Sequence, residues 1–352
     1  MMKKCLCCQL AVIVICVLPL LGIEEFKKIN QWNHGDQEIY KHLSRGIIDG
    51  DDHVITRTGG WGARSLLITP KDVVSFAPIG QGPGDIYLLC ASCPYQNDLA
   101  MVEYSQKLKI FTKKDNKYAW KETKWLKRDR YNQKITDMLF FKDKWFLAGH
   151  HPLNINESKK KKTVSLLRIF DKDGKPIKEL IIREIDIHER QCEMEHFVVL
   201  HDDRLFFLFE NELKVYEIPL EKLEVTKEVK LEIPSFYKKM PEDFYMFKRY
   251  TNTKDFVKDI QYWMTSYSRI INVLIEDGLL VLQLRTCKEE LKKFALLFYD
   301  ADSLELKKTF FIDDFLLGAR KGIYYFYANG RPGLDDDIDE CIINLYSFTG
   351  KK

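Results

Sequence analysis

Val273-Leu-Ile-Glu-Asp-Gly-Leu-Leu-Val281, followed by Leu297-Phe-Tyr-Asp300, Ala301-Asp-Ser303 and Leu304-Glu-Leu-Lys-Lys-Thr-Phe310, decides the fold. The first run reads as two apolar strands joined by Asp277-Gly278, a dipeptide suited to a tight hairpin turn. The second reads as an apolar strand, a polar turn and an alternating strand, the pattern of a sheet edge with one face wet. Two hairpins in succession make a four-stranded antiparallel unit.

The same idea recurs along the chain. Leu108-Lys-Ile-Phe111 leads to Tyr118-Ala-Trp-Lys-Glu-Thr123. Leu167-Arg-Ile-Phe-Asp171 leads through Lys172-Asp-Gly174 to Ile177-Lys-Glu-Leu-Ile-Ile182. Leu213-Lys-Val-Tyr-Glu217 leads to Leu223-Glu-Val-Thr-Lys-Glu-Val229. Upstream hairpins stand at 140–147 and 198–207. Units of roughly 40–50 residues with this content predict a β-propeller. The expected fold is all-β: six four-stranded antiparallel blades at roughly 46–83, 84–135, 136–190, 195–235, 270–313 and 314–348. A β-sandwich or a pair of smaller β domains is the alternative. The last unit stops after its third strand, Leu345-Tyr-Ser-Phe348, so an N-terminal strand from residues 23–40 is expected to complete it and close the ring.

Residues 1–22 read as an export signal. Lys3 and Lys4 form a positive n-region, and Leu10–Leu21 carries no charge but is short for a membrane span. Residues 23–352 are then a single propeller domain, with an insertion at about 235–268 whose Lys254–Trp263 stretch reads as helical. The expected location is outside the cytoplasm: periplasm, cell envelope or secreted. An uncleaved anchor at the same residues is the alternative, and no other membrane span is expected. Four of the nine cysteines lie in the signal. The sparse, odd set that remains is not a disulfide scaffold. Cys90-Ala-Ser-Cys93 has redox-motif spacing but lies in an apolar strand rather than opening a helix, so inert buried thiols are expected, with a local disulfide as the alternative.

The chain is 352 residues long, 45% hydrophobic and 30% charged, with a net charge of +3. That excludes disorder, and the near balance of charge argues against a nucleic-acid partner. Gly80-Gln-Gly-Pro-Gly-Asp85 is not a phosphate loop: the third glycine comes one residue early, Pro83 offers no N–H, and a strand follows. It reads as a blade-to-blade turn with glycines at unusual φ. On this segment, with Ile169-Phe-Asp171 and Asp173-Gly-Lys175, the chain resembles the exported six-bladed β-propeller proteins of bacteria that carry a G-x-G-P-G-[DE] loop. The resemblance implies the fold and an extracytoplasmic home, and no particular activity.

No nucleophile elbow or Ser-His-Asp order stands out. In a propeller blade the second-to-third-strand loops and the connections to the next blade share one face, and here the long ones are 57–64, 150–162, 285–293 and 329–340. Trp61, Arg64, His150, His151, Arg285 and Arg331 are therefore the candidate ligand contacts, supplying aromatic area and forked cationic donors. Asp335, Asp336 and Asp337, with Asp339 and Glu340, are a candidate site for a divalent cation. A solvated acidic loop is the alternative, and no other cofactor is expected. His188, Cys192 and His196, four apart, would share one face if helical and suit zinc. The expected function is a binding or scaffold module that presents a site for a peptide, glycan or envelope protein on its loop face, as a monomer. An extracytoplasmic lyase or hydrolase working at the channel mouth is the alternative.

Overall fold

Among the described residues, alternating Leu, Val, Phe and Tyr runs, cut by Asp, Gly and Lys turns, fold into 24 strands in six four-stranded antiparallel sheets. The computed structural model describes residues 25–35, 43–58, 64–87, 89–115, 117–126, 134–150, 161–186, 195–241, 262, 265–287, 292–328 and 340–349. Its first strand, β1 (Glu25–Asn33), belongs to the last blade. Blade 1 is β2 (Ile47–Ile48), β3 (Val54–Arg57), β4 (Ser65–Ile68) and β5 (Val73–Phe76). Blade 2 is β6 (Leu89–Tyr95), β7 (Asp98–Glu103), β8 (Lys107–Lys114) and β9 (Lys117–Trp125). Blade 3 is β10 (Lys134–Phe141), β11 (Lys144–His150), β12 (Lys161–Asp171) and β13 (Pro176–Asp186). Blade 4 is β14 (His196–His201), β15 (Arg204–Phe209), β16 (Lys214–Pro219) and β17 (Lys227–Lys230). Blade 5 is β18 (Arg269–Glu276), β19 (Leu279–Arg285), β20 (Phe294–Asp300) and β21 (Leu306–Ile312). Blade 6 is β22 (Phe315–Arg320), β23 (Ile323–Tyr327) and β24 (Ile342–Thr349), completed by β1.

The first strand of each blade touches the first strand of the next, from β2 through β6, β10, β14, β18 and β22 back to β2. This is a closed six-bladed β-propeller. Four of these inner strands slip register near their start, after Leu89, Ile135, Ile270 and Leu316. Such bulges add the twist that turns a sheet edge toward the axis. The core lies between neighbouring sheets. Phe206 and Leu208 of blade 4 pack with Leu282 and Leu297 of blade 5, and Tyr95 of blade 2 stacks on Trp145 of blade 3 at 4.9 Å.

The N-terminal strand closes the ring as expected. β1 pairs antiparallel with β24 from Glu25↔Thr349 to Asn33↔Ile342, which covers an edge whose N–H and C=O groups would otherwise stand unpaired. Phe26 anchors it, with its ring stacked on Tyr346 at 5.3 Å and near Phe298, Phe310 and Phe348. Trp32, 6% exposed, packs its ring against Tyr325.

Turn chemistry follows the sequence in most places. Asp277 and Gly278 both have positive φ, as do Lys142 with Asp143 and Lys321 with Gly322, the geometry of two-residue hairpins. Gly174 sits at φ +80 in the β12–β13 turn, which Asp171 organises by accepting the Asp173 and Lys175 N–H groups. The glycines of residues 80–85 are the exception. The segment does connect blade 1 to blade 2, but none of the three has a positive φ. Gly80 and Gly82 are small because the Asp85 carboxylate folds back over them, and Gly84 because Trp120 packs against it. A Cβ on Gly82 would lie 2.8 Å from Asp85 Oδ2, which accepts the Gly82 N–H at 2.9 Å. Lys109, only 3% exposed in its side chain, holds the loop from below. It pairs with Glu103 at 3.1 Å and donates to the Gly82 and Asp85 carbonyls. Among the described residues no helix is long and apolar enough to cross a membrane.

Candidate functional site

The inner strands enclose a cavity of about 390 Å³ on the ring axis, within the roughly 300–1,000 Å³ range of small-molecule sites. Strand direction gives it two unlike ends. Every inner strand starts on the face where its blade is joined to the previous one, and in four of the six blades polar or charged residues line the cavity near those starts: Arg45 just before β2, Thr136 and Asp137 in β10, Glu195 just before β14, and Arg269 opening β18, while β6 and β22 start with Leu89 and Phe315. Arg57, the last residue of β3, lies at the same end. Toward the opposite face the walls are Leu139, Leu200, Leu274 and Ile275, all partly exposed.

Arg45 spans the channel. It leaves blade 1 and reaches Asp137 Oδ2 of blade 3 at 2.8 Å, with its guanidinium 5.6 Å from the ring centre of Phe197 in blade 4. Asp137 also accepts the Val198 N–H on Oδ2 at 2.8 Å and the Met138 N–H on Oδ1 at 2.9 Å. Burial pushes its carboxyl above the usual carboxylate range, against the opposing pull of Arg45 and these two N–H groups. The neighbouring Thr136 hydroxyl donates to the His196 carbonyl and accepts the His196 N–H, tying blade 3 to blade 4. On the far wall Arg269 lies 3.6 Å from Glu210, which also accepts the Glu195 N–H at 2.8 Å.

Arg57 differs from these two arginines. One Nη1 donates to the Leu89 carbonyl of the next blade. No carboxylate among the described residues lies within ion-pair distance of it. Among the described residues it is therefore the cation of the cavity wall that no carboxylate compensates.

The sequence-derived candidates fall elsewhere. Arg64 is exposed, just before β4, with its main chain bonded to Thr58: its N–H donates to Thr58 Oγ1 at 2.9 Å and its carbonyl accepts the Thr58 N–H at 3.0 Å. His150 ends β11, opposite Lys134, and Arg285 ends β19, opposite Arg269 and Phe294. Trp61, His151 and Arg331, and the acidic run Asp335, Asp336 and Asp337, lie outside the described residues. So do His188 and Cys192. His196 is 2% exposed, with its ring packed on Phe207 and Phe209. Cys93 is a buried thiol not joined to Cys90, and burial and the nearby Asp137 charge push its ionisation up, which suits an inert thiol.

Sequence reasoning missed Arg45, Arg57 and Asp137: Arg45 stands just before β2, Asp137 lies inside β10, and Arg57 ends β3 at the first position of the 57–64 loop, from which only Trp61 and Arg64 were chosen. One signal was available. Ile135-Thr-Asp-Met-Leu139 places a carboxylate inside an inner strand, and a buried carboxylate needs partners.

Two acidic groups on the other face have metal-like spacing: Asp49, Asp51 and His53, and His201, Asp202 and Asp302. Each already holds a side-chain cation. Lys113 Nζ lies 2.7 Å from Asp49 and 2.5 Å from Asp51, and Arg204 lies 2.5 Å from Asp302.

No protein-family model and no curated sequence matches the chain. Solved structures do resemble it. A member of the DUF4221 family from Bacteroides vulgatus superposes with a TM-score of 0.59 at 10% identity, over 93% of this chain and 99% of that one. A protein of Bacteroides fragilis, named for its expected export, gives 0.58 at 11% identity, over 92% and 96%. A luciferin-regenerating enzyme gives 0.53 at 10% identity, over 93% and 96%. At these identities the likeness is one of fold, and it extends the six-bladed architecture over nearly the whole length of each chain.

Proposed function

We propose that this protein is an exported β-propeller that binds a ligand at the centre of its loop face. The observation that carries the reading is the axial cavity, with Arg45, Arg57 and Arg269 gathered at the end where the inner strands begin. Pockets with an apolar wall and a few convergent polar groups are the usual seats of small ligands. Export rests on Lys3, Lys4 and the uncharged Leu10–Leu21 run of a 1–22 signal. The name of the Bacteroides fragilis neighbour points the same way. Residues 23–352 then form the mature domain, of the exported type that carries the Gly80–Asp85 loop, with 235–268 as its insertion.

Around the cavity, Arg64, His150 and Arg285 stand at strand ends on the same face, and with Trp61, His151 and Arg331 they form the proposed outer rim. A thermal-shift screen of the mature protein against small acids, sugars and peptides, with elemental analysis for a cation at Asp335–Asp337, tests the reading. A raised melting temperature that disappears when Arg45 or Arg57 is replaced supports it. A silent screen, or a response that ignores both arginines, overturns the axial site. Recovery of the chain only in the cytosol with residues 1–22 intact overturns export.

A further inference from the structure

The cavity is polar at one end and apolar at the other, and that asymmetry selects a ligand class. We propose that it takes a small carboxylate with an apolar body, the head group on the Arg57 guanidinium and the hydrocarbon directed along the channel toward Leu139, Leu200 and Leu274. This rests on the channel being a binding site. Three observations lead to it.

Arg57 lines the cavity, is fixed by one arm to the Leu89 carbonyl, and has no carboxylate partner among the described residues. A planar guanidinium with donors to spare matches a carboxylate in a two-pronged contact, and a charge-assisted pair is stronger than a neutral hydrogen bond. The other two arginines are balanced: Arg45 sits on Asp137 at 2.8 Å and Arg269 faces Glu210 at 3.6 Å. Among the described residues, Glu195 is the remaining acid that lines this end, and it is exposed. Among these residues the cation left without a carboxylate is therefore Arg57.

Below Arg57 the polar groups thin out. The next layers are Met101, Phe197, Ile271 and Val273, and then the partly exposed Leu139, Leu200, Leu274 and Ile275. Apolar walls that keep partial exposure gain when a hydrocarbon displaces water from them. A sugar or a short dicarboxylate would leave those walls wet and desolvate its own polar groups without partners.

The probes are butanoate, hexanoate, octanoate and octanol, titrated calorimetrically into the purified protein. The proposal expects affinity to rise by about fourfold for each added methylene, and octanol to bind at least roughly tenfold more weakly than octanoate. Arg57→Gln should weaken octanoate by roughly ten- to a hundredfold and leave octanol unchanged. Arg57→Lys should recover part of the loss, and Lys142→Ala, on the opposite face, should change nothing. The chain-length series needs no variant, so a poorly folding Arg57→Gln does not remove the test. Octanol binding as tightly as octanoate overturns the head-group assignment and keeps the channel as a binding site. Equal affinities along the series overturn the apolar seat. No octanoate binding overturns the proposal, while the broader ligand screen decides separately whether the channel binds anything.

Discussion

The two faces of this propeller are built from the same blades and do different things. On the face of the tight turns, side chains of one blade reach the next around the ring. Lys113 joins blade 2 to Asp49 and Asp51 of blade 1, Lys142 joins blade 3 to Asp203 of blade 4, and Arg204 joins blade 4 to Asp302 of blade 5. Glu276 of blade 5 accepts the Gly322 N–H of blade 6, and Lys321 of blade 6 reaches Asp52 of blade 1. Between blades 2 and 3 the latch is aromatic, Tyr95 on Trp145 and Phe140. On the loop face the polar groups turn inward instead. Arg45 crosses the axis, Arg57 faces the cavity, and Asp137 is buried beneath them. Short turns leave no room for a cavity but bring neighbouring blades within reach of an ion pair. The loop face has the width for a pocket, and its charges are placed around it.

The ring closure should give the largest effect, because both faces depend on it. Deleting residues 25–33 bares the edge of β24 and removes Phe26 from its aromatic cluster. Melting should fall by many degrees, and an unchanged melt would show that β1 is not the closing strand. Phe26→Ala alone should cost about 3 kcal/mol, measured by urea denaturation.

Asp137 and Lys142 separate a buried charge from an exposed one. Asp137→Ala leaves Arg45 and the Val198 N–H without their acceptor. Arg45 keeps 29% of its side-chain surface, so the loss should fall near the low end of roughly 3–5 kcal/mol. Asp137→Asn retains an acceptor oxygen and should cost less. Lys142→Ala breaks a pair whose side chains are 57% and 72% exposed, and should stay within about 0.5 kcal/mol. Equal losses from the two alanine variants would erase the contrast between the faces.

Acid should weaken the turn face at Asp49. Burial pushes this carboxyl up, but Lys113 and the His53 and Asp51 N–H groups outweigh it and hold it below its ordinary value. A carboxylate with a depressed folded value stabilises the fold above the unfolded value, near 4. That contribution is lost as pH falls through the lower folded value. Melting curves from about pH 5 to pH 2 should therefore slope less steeply in Asp49→Asn than in the parent. Parallel curves would mean that Asp49 is not the linked group.

The propeller was legible because its signals are local. Asp277-Gly278 between apolar runs, Gly174 in its turn and the missing fourth strand after Phe348 each constrain the chain within a few residues. The blade limits followed from them. The site was less legible because its residues meet only when the ring closes. Arg45 and Asp137 are 92 positions apart by their numbering, and nothing near either announces the other. Loop length drew attention to Arg64 and Arg285, whereas the cavity wall is made by strand starts and by Arg57 at a strand end. The Gly80–Asp85 segment was placed correctly but for a mistaken reason, since sequence cannot separate a glycine needed for φ from one needed for closeness.

The same loop allows a test of glycine's role by coupling rather than by size of effect. If Gly82 were required for its backbone angle, Gly82→Ala would be strained whatever Asp85 did. The structure gives it an ordinary φ and an obstacle that is a side chain, Asp85 Oδ2 at 2.8 Å from the added Cβ. The carboxylate can swing away at the expense of its bond to the Gly82 N–H, so the loss should be about 1 kcal/mol, the net worth of one such hydrogen bond. Asp85→Ala removes both the obstacle and the bond. The two substitutions touch the same contact, so their costs should fall short of adding. Gly82→Ala should cost almost nothing once Asp85 is alanine, as read by denaturant midpoints of the two single variants and the double variant. Full additivity would return the glycine to a backbone role.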